Sequence, residues 1–393
     1  MSGPLTSLKV LDFSTLLPGP FASLLLADMG AEVLRVESPN RMDLVRLLPP
    51  HADGMSTSHA YLNRNKRCIA LDLKKPEAVE VVKKLVAEYD IVLEQFRPGV
   101  MDKLGVGYEA LKAINPKLIY VSITGYGQTG PYKDRAGHDL NYLALSGLAS
   151  YTGRRDSGPL PLGIQAADIA GGSLHGVIGL LAAVVNRQVT GQGQYVDISM
   201  TDCAFSLHAM SGAGYLGAGV EPQMESQPLN GGTFYDYYRT RDGRWFSVGS
   251  LEPQFMQQFC AAIGRPELAA RGLSQRPDDQ QALKREIEIE IETRDFAEWS
   301  EIFIKLDACV EPLLNLSEAV EHPQLKARQL LTEVPIGEQK TQTQIACPIK
   351  FSNGLPAPQH VGAALGAHTS EVLAQLGYSG PEIDQLKAAK AIA

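Results

Sequence analysis

The chain of 393 residues is longer than one compact core usually holds, so two domains are expected. Apolar residues make up 44% and charged residues 20%, an ordinary globular balance that argues against extensive disorder. With 36 Lys and Arg against 44 Asp and Glu, the formal charge of −8 excludes an overall basic field for nucleic acid. Any anionic ligand needs a local basic cluster instead.

The first 126 residues alternate short apolar runs with helical patterns. LKVLDF (8–13) reads as a buried strand, FASLLLADMG (21–30) as a helix and EVLRVE (32–37) as the next strand. CIALDL (68–73) and IVLEQF (91–96) bracket PEAVEVVKKLVAEYD (76–90), whose apolar positions recur at helical spacing. LIYVSITGY (118–126) closes the series. Strands separated by helices imply parallel crossovers, hence an α/β fold with an open, mainly parallel, Rossmann-like sheet. Residues 139–147 and 165–190 read as helices, and QYVDISM (194–200) as a strand leading into a helix. Near residue 220 the texture changes: 234–250 alternates with period 2 around an Asp-Gly turn, a hairpin signature. REIEIEIE (285–292) also alternates, but its charge and its helix-forming flanks predict an exposed helix. The expected division is a large α/β domain over 1–220, a smaller α+β domain over 221–330, and a segment 331–393 returning to the large domain, with helices from near Thr369.

Five cysteines (Cys68, Cys203, Cys260, Cys309 and Cys347) are scattered, without C-x-x-C or Cys/His ligand spacing. Neither a disulfide framework nor a zinc site is supported, which suits a reduced compartment. Asp12 interrupts the first hydrophobic stretch, so no signal peptide is expected. The longest apolar segment, 177–185, is too short to span a bilayer, and the C-terminal Ala-Ile-Ala is not a peroxisomal address. A cytoplasmic protein with neither nucleic acid nor membrane as partner is the expectation.

The opening strand–turn–helix–strand resembles a dinucleotide-binding unit, with Glu37 placed like a ribose-binding acid. Its turn is LLPGP, however, with Gly19 alone and with Pro20 removing an amide, so a structural crossover is the better reading. RNKR (64–67) gathers Arg64, Lys66 and Arg67 before a strand. A solvated charge run is the ordinary explanation, but such a cluster also suits phosphates. Arg97 and Lys103 follow another strand's C-terminal end, where open α/β sheets bind ligands. AGHDLNY (136–142) places His138 beside Asp139 at a loop-to-helix entry, and Asp168 lies 30 residues downstream near the start of a long apolar helix. The ordinary role of Asp168 is to complement the helix macrodipole. Gly171 and Gly172 are poor helix formers and predict a close approach to that helix. NGG (230–232) marks a permissive turn or ligand lid.

Together these segments resemble the family III CoA-transferase (CaiB/BaiF-like) superfamily, and within it the α-methylacyl-CoA racemases. The resemblance runs from about residue 8 to residue 375, with AGHDLNYLALSG (136–147) its most specific piece. It implies two interlinked chains forming a homodimer, acyl-CoA as substrate, no other cofactor, and a place in lipid and fatty acid metabolism. His138 and Asp168 match the catalytic positions, while Asp139 matches the transferases' acyl-accepting nucleophile or positions the substrate. Arg64, Lys66, Arg67, Leu71, Asp72, Arg97, Lys103, Gly137 and Tyr142 fall in segments that line the CoA site. Ser38 stands where many racemases carry Arg, and Arg35, three residues away, points to the other strand face. Asp236 is the only carboxylate near Arg239 available to orient the His.

The implied chemistry inverts the α-carbon of a 2-methylacyl thioester. A neutral His accepts the weakly acidic α-proton on one face and a protonated Asp donates on the other, the roles exchanging for the other enantiomer. Asp168 must then be held protonated. Burial favours that state and a helix N-terminus opposes it, so the sequence leaves the balance open. The alternative is a CoA transferase working through an acyl-enzyme at Asp139. A non-catalytic CoA-binding regulator is the third class.

Overall fold

The computed structural model describes residues 2–393. The chain forms two compact units. Among the described residues the first comprises 2–146, 162–207 and 326–393, and the second comprises 147–161 and 208–325.

The first unit is built on six parallel strands: β1 (Lys9–Asp12), β2 (Glu32–Glu37), β3 (Lys66–Ala70), β4 (Ile91–Glu94), β5 (Ile119–Thr124) and β6 (Tyr195–Ser199). Their order is β6-β5-β4-β1-β2-β3. Leu11 aligns with Leu34 on one side and with Val92 on the other. These runs are rich in apolar residues because helices cover both faces of a parallel sheet, with most of their charged residues at the strand ends and Arg35 and Asp197 inside β2 and β6. Helices α1 (Pro18–Asp28) and α2 (Pro76–Leu85) each begin with proline, whose fixed φ suits a first helical turn. In α2 the buried Ala78, Val81, Val82 and Leu85 form the stripe that the spacing predicted. The strand order reverses between β1 and β4. At such a switch point the turns leaving both strands diverge and leave a crevice at the sheet's C-terminal edge. Those turns are Ser14–Leu17 and Gln95–Gly99.

Two further helices and their neighbour complete this part: α3 (Asp139–Ser146), α4 (Ala167–Thr190) and α5 (Met200–Ser206). The first turns of α4, Ala167–Leu174, are π-helical, and regular α-helix runs from His175 to Thr190. The apolar stretch read as 177–185 thus belongs to one 24-residue helix that is long and apolar enough to cross a membrane by length and composition. It packs against α1, β5 and β6, and core helices meet the same criterion.

In the second unit the predicted hairpin is present as β7 (Asp236–Arg239) and β8 (Trp245–Val248), paired antiparallel with Tyr238 opposite Phe246. Gly243 of the Asp-Gly turn sits at φ +82°, which favours glycine. A third strand, β9 (Val310–Pro312), pairs with β8. Helices α6 (Pro253–Ala262), α7 (Pro277–Ile291) and α8 (Phe296–Phe303) close the core around Phe246, Phe259 and Trp299. The alternating 285–292 segment is helical as expected, but not simply exposed. Ile287 and Ile291 are fully buried at i and i+4, and Ile289 faces solvent.

The chain then returns to the first unit, where α9 (Thr369–Gln375) and α10 (Gly380–Ala388) join the core through Val372, Leu373, Ile383 and Leu386. The unit boundaries differ from the linear division. Segment 147–161 belongs to the second unit because Arg154 forks onto the Asp236 carboxylate at 2.6 Å. The second unit's long segment starts at 208, immediately after α5 and Leu207, rather than at 221.

Candidate active site

Gly137 leads into α3. The Tyr142 hydroxyl donates to its carbonyl at 2.6 Å, and a Cβ there would stand 2.6 Å from both Tyr126 and Tyr142. Tyr126 and Tyr142 meet edge to face at 5.2 Å, so the turn before His138 rests on an aromatic corner. The backbone N–H of His138 donates to Asn141 Oδ1 at 3.0 Å, and the His138 carbonyl accepts from Asn141 N at 2.8 Å. His138 is exposed, and Asp139, the first residue of α3, is half-buried.

Asp139 joins the two catalytic candidates. Its Oδ1 accepts the backbone N–H groups of Ala167 at 2.6 Å and of Asp168 at 3.0 Å. The start of α4 is therefore tied to the residue that follows His138. Burial, and next the nearby Asp139, push the Asp168 carboxyl up to about 7. The pull of the helix N-terminus toward ionisation loses, because two of the N-terminal amides already serve Asp139. Burial, then Asp168, also pushes the Tyr142 phenol up to about 12. Gly171 and Gly172 make the close approach that they predicted: a Cβ on Gly171 would lie 3.1 Å from the Met200 carbonyl, and one on Gly172 3.0 Å from Pro18 Cβ.

The basic cluster is placed otherwise than a phosphate site requires. Arg64 is 1% exposed; its Nη2 and Nε bind Asp28 at 2.5 and 2.9 Å, and Nη1 reaches the Ile345 carbonyl at 2.7 Å. Lys66 is equally buried, with Nζ 2.8 Å from the Pro20 carbonyl and 3.6 Å from Asp12. Burial pushes its ammonium down to about 7. Arg67 lies at the start of β3, at the sheet edge opposite the crevice, and is engaged by Glu32 at 2.6 Å and Tyr89 at 2.8 Å. These three residues hold the fold together. The sequence could not show it because their carboxylate partners, Asp28, Asp12 and Glu32, are remote in the chain.

Leu71 and Asp72 follow β3 at the ligand edge. Leu71 is buried in a bridge to Ile392, and the Asp72 carboxylate accepts from Asn40 at 2.9 Å. Ser38 pairs with Arg41, which is exposed, while Arg35 is buried against Asp43 at 2.5 Å. Glu37 is likewise internal, accepting from Asp43 N and Arg46 at 2.8 Å each, so it is no ribose ligand. Of the proposed basic residues, Arg97 and Lys103 alone keep exposed side chains, beyond the end of β4. In the second unit, burial raises the Asp236 carboxyl, but Arg154 and Lys284, the latter at 2.5 Å, outweigh it and hold the group below the usual carboxylate range. Both carboxylate oxygens are occupied by cations.

Glu94 and Ser173 were not singled out from sequence. Burial pushes Glu94, which closes β4, up to about 7; it accepts from the Ser122 hydroxyl and from Phe96 N at 2.7 Å. Gln128, on the loop toward His138, donates to Ser122 at 2.7 Å. An acid ending an otherwise apolar strand was the available signal. Among the described residues no three His, Cys, Asp or Glu side chains gather as a metal site.

The CoA-transferase family III model matches residues 5–369. The chain is 36% identical to the alpha-methylacyl-CoA racemase of Mus musculus, with 97% of this chain and 96% of the relative covered. It is 33% identical to the succinate–glutarate CoA-transferase of Agrobacterium fabrum, over 95% and 96% of the two chains. The crystal structure of a CAIB/BAIF family protein from Brucella suis superposes with a TM-score of 0.83 at 32% identity, covering 96% of this chain and all of that one. With one match spanning nearly the whole sequence and a fold that agrees throughout, the chain belongs to CoA-transferase family III.

Proposed function

We propose that the protein is an α-methylacyl-CoA racemase that inverts the α-carbon of 2-methylacyl-CoA thioesters. The observation that carries this reading is the state of Asp168: its backbone N–H is held by the Asp139 carboxylate at 3.0 Å, and burial, then Asp139, push its carboxyl up to about 7. At neutral pH a large fraction of Asp168 keeps its proton, and a carboxylic acid near its midpoint can both donate and accept. His138 in its neutral form takes the α-proton from one enantiomer, with the electron pair passing to the thioester oxygen as an enolate. Asp168 then returns a proton to the opposite face. For the other enantiomer the two exchange roles. The amides of Ala167 and Asp168 belong to Asp139, so other donors must meet the enolate oxygen. Arg97 and Lys103 at the ligand edge carry the CoA phosphates in this reading, with Tyr142 and Gly137 lining the site. Acyl-CoA is the substrate and no further cofactor is invoked. A cytoplasmic homodimer acting in lipid metabolism carries over from the resemblance.

The 33% identity to a CoA-transferase keeps a second reading in view, in which Asp139 forms an acyl-enzyme. One experiment separates the two. The protein and its His138→Ala, Asp168→Ala and Asp139→Asn variants are each incubated with one pure enantiomer of a 2-methylacyl-CoA in deuterated buffer. α-Deuteration, inversion and CoA transfer to an added carboxylate are scored. The racemase reading expects His138→Ala and Asp168→Ala to lower inversion by about 10²–10⁴-fold. Each variant should retain exchange with the enantiomer served by its remaining base. Transfer without α-exchange in the parent protein, lost in Asp139→Asn, overturns it.

A further inference from the structure

A π-helical turn has i→i+5 hydrogen bonds and is wider than an α-turn, so it persists only where its surroundings support it. The turns that carry Asp168, Ala167–Leu174, are of this kind. At Gly172 a Cβ would meet Pro18 Cβ at 3.0 Å, Met200 Cγ at 3.1 Å and Ile123 Cγ2 at 3.2 Å, so the turn lies flush against the start of α1, α5 and β5. Ser173 is fully buried beside it. Its hydroxyl donates to the Pro18 carbonyl at 2.6 Å and stands 3.2 Å from the carbonyl of Asp168. A hydroxyl has one proton to give, and the shorter contact takes it.

Such a bond fixes position only if its far end is itself fixed. Gly19 N donates to Gln95 Oε1 at 2.8 Å, Lys66 Nζ holds the Pro20 carbonyl at 2.8 Å, and Ser23 is bound to Asp12 at 2.5 Å. The first turn of α1 is therefore a rigid post, and the buried lysine that does not face a phosphate is part of it. Asp168 stands between two clamps: Asp139 holds its amide from the front, and Ser173, one π-turn later, secures the turn from behind.

We propose that Ser173 is a positioning residue for Asp168, its hydroxyl pinning the wide turn to Pro18 so that the Asp168 carboxyl stands at a fixed depth beside Asp139. The proposal rests on the racemase reading for its catalytic consequence, not for its geometry. The titratable groups that face Asp168 are Asp139 and Tyr142, and neither is touched by substitution at Ser173.

The test compares the parent protein with Ser173→Ala and Ser173→Cys, the latter being close in size and a weak donor. Two quantities are read: steady-state α-deuteration of a 2-methylacyl-CoA, and the Asp168 titration followed by ¹³C NMR of carboxyl-labelled protein, assigned with Asp168→Asn. For Ser173→Ala, kcat should fall about tenfold with KM within about twofold, since small misplacement acts on the reacting geometry more than on binding. The Asp168 midpoint should move by at least about half a unit, with Ser173→Cys recovering part of both. An unchanged midpoint overturns the proposal, whether or not kcat or thermal stability changes. If the parent protein exchanges no α-proton, the racemase reading fails while the midpoint still decides the role of Ser173. Should Ser173→Ala not fold, Ser173→Cys carries the same comparison.

Discussion

Two charged clusters in the first unit are treated in opposite ways. In Arg64–Arg67 each cation meets a carboxylate: Arg64 has Asp28, Lys66 has Asp12 and Arg67 has Glu32. At Asp139 and Asp168, two carboxyls are brought together, and neither has a cation within ion-pair distance among the described residues. The first arrangement neutralises its charge internally and leaves nothing for a ligand. The second leaves a carboxyl that burial, and next the nearby Asp139, push toward its protonated form, a readiness that the proposed proton transfer would use. A run of like residues in sequence is thus a weaker sign of function than a charge the fold declines to compensate.

The sharpest way to break the contrast is to remove a compensated charge. Arg64→Ala leaves Asp28 buried without its partner and should destabilise the protein by about 3–5 kcal/mol, read by urea unfolding, since losing one member of a buried pair costs that much. The CoA affinity of the folded protein should stay the same; a weakened affinity at unchanged stability would return Arg64 to the ligand site.

A smaller effect is expected where the charge is uncompensated. The Asp168 carboxyl is raised in the folded protein from its ordinary 3.8 to about 7. Its stabilising contribution is fully present below pH 3.8 and is lost as pH rises through 7. Asp168→Asn should therefore stabilise the protein above pH 7, by on the order of 2 kcal/mol after allowance for solvent screening of a half-buried group. Stability at pH 5 should change much less. Parallel unfolding curves for the two proteins across pH 5–8 would count against the raised carboxyl.

The smallest effect belongs to the exposed cations. Arg97→Ala with Lys103→Ala should weaken CoA binding about tenfold at low salt and less at high salt, with melting unchanged, because screened surface contacts act on affinity alone. Calorimetric titration at two ionic strengths measures this, and an unaltered dissociation constant would remove both residues from the site.

The sheet was legible from the chain because buried parallel strands are short and rich in apolar residues, and the runs at 8–13, 32–37, 91–96 and 118–126 have strand length and alternate with segments of helical periodicity. The Asp-Gly hairpin was legible from equally local signals, as was the close approach at the two glycines of α4, and the motif around His138 marked the loop-to-helix entry that the structure has at α3. Tertiary structure decided everything that depends on partners distant in sequence. It closed Arg64 and Lys66 against Asp28 and Asp12, gave Asp236 to Arg154 and Lys284, and turned the start of α4 into a π-helix gripped by Asp139 and Ser173. Residue type and spacing report what a segment can bury, whereas the protonation and availability of a side chain are set by which charges and donors the fold brings within a few ångströms, and no local pattern encodes that.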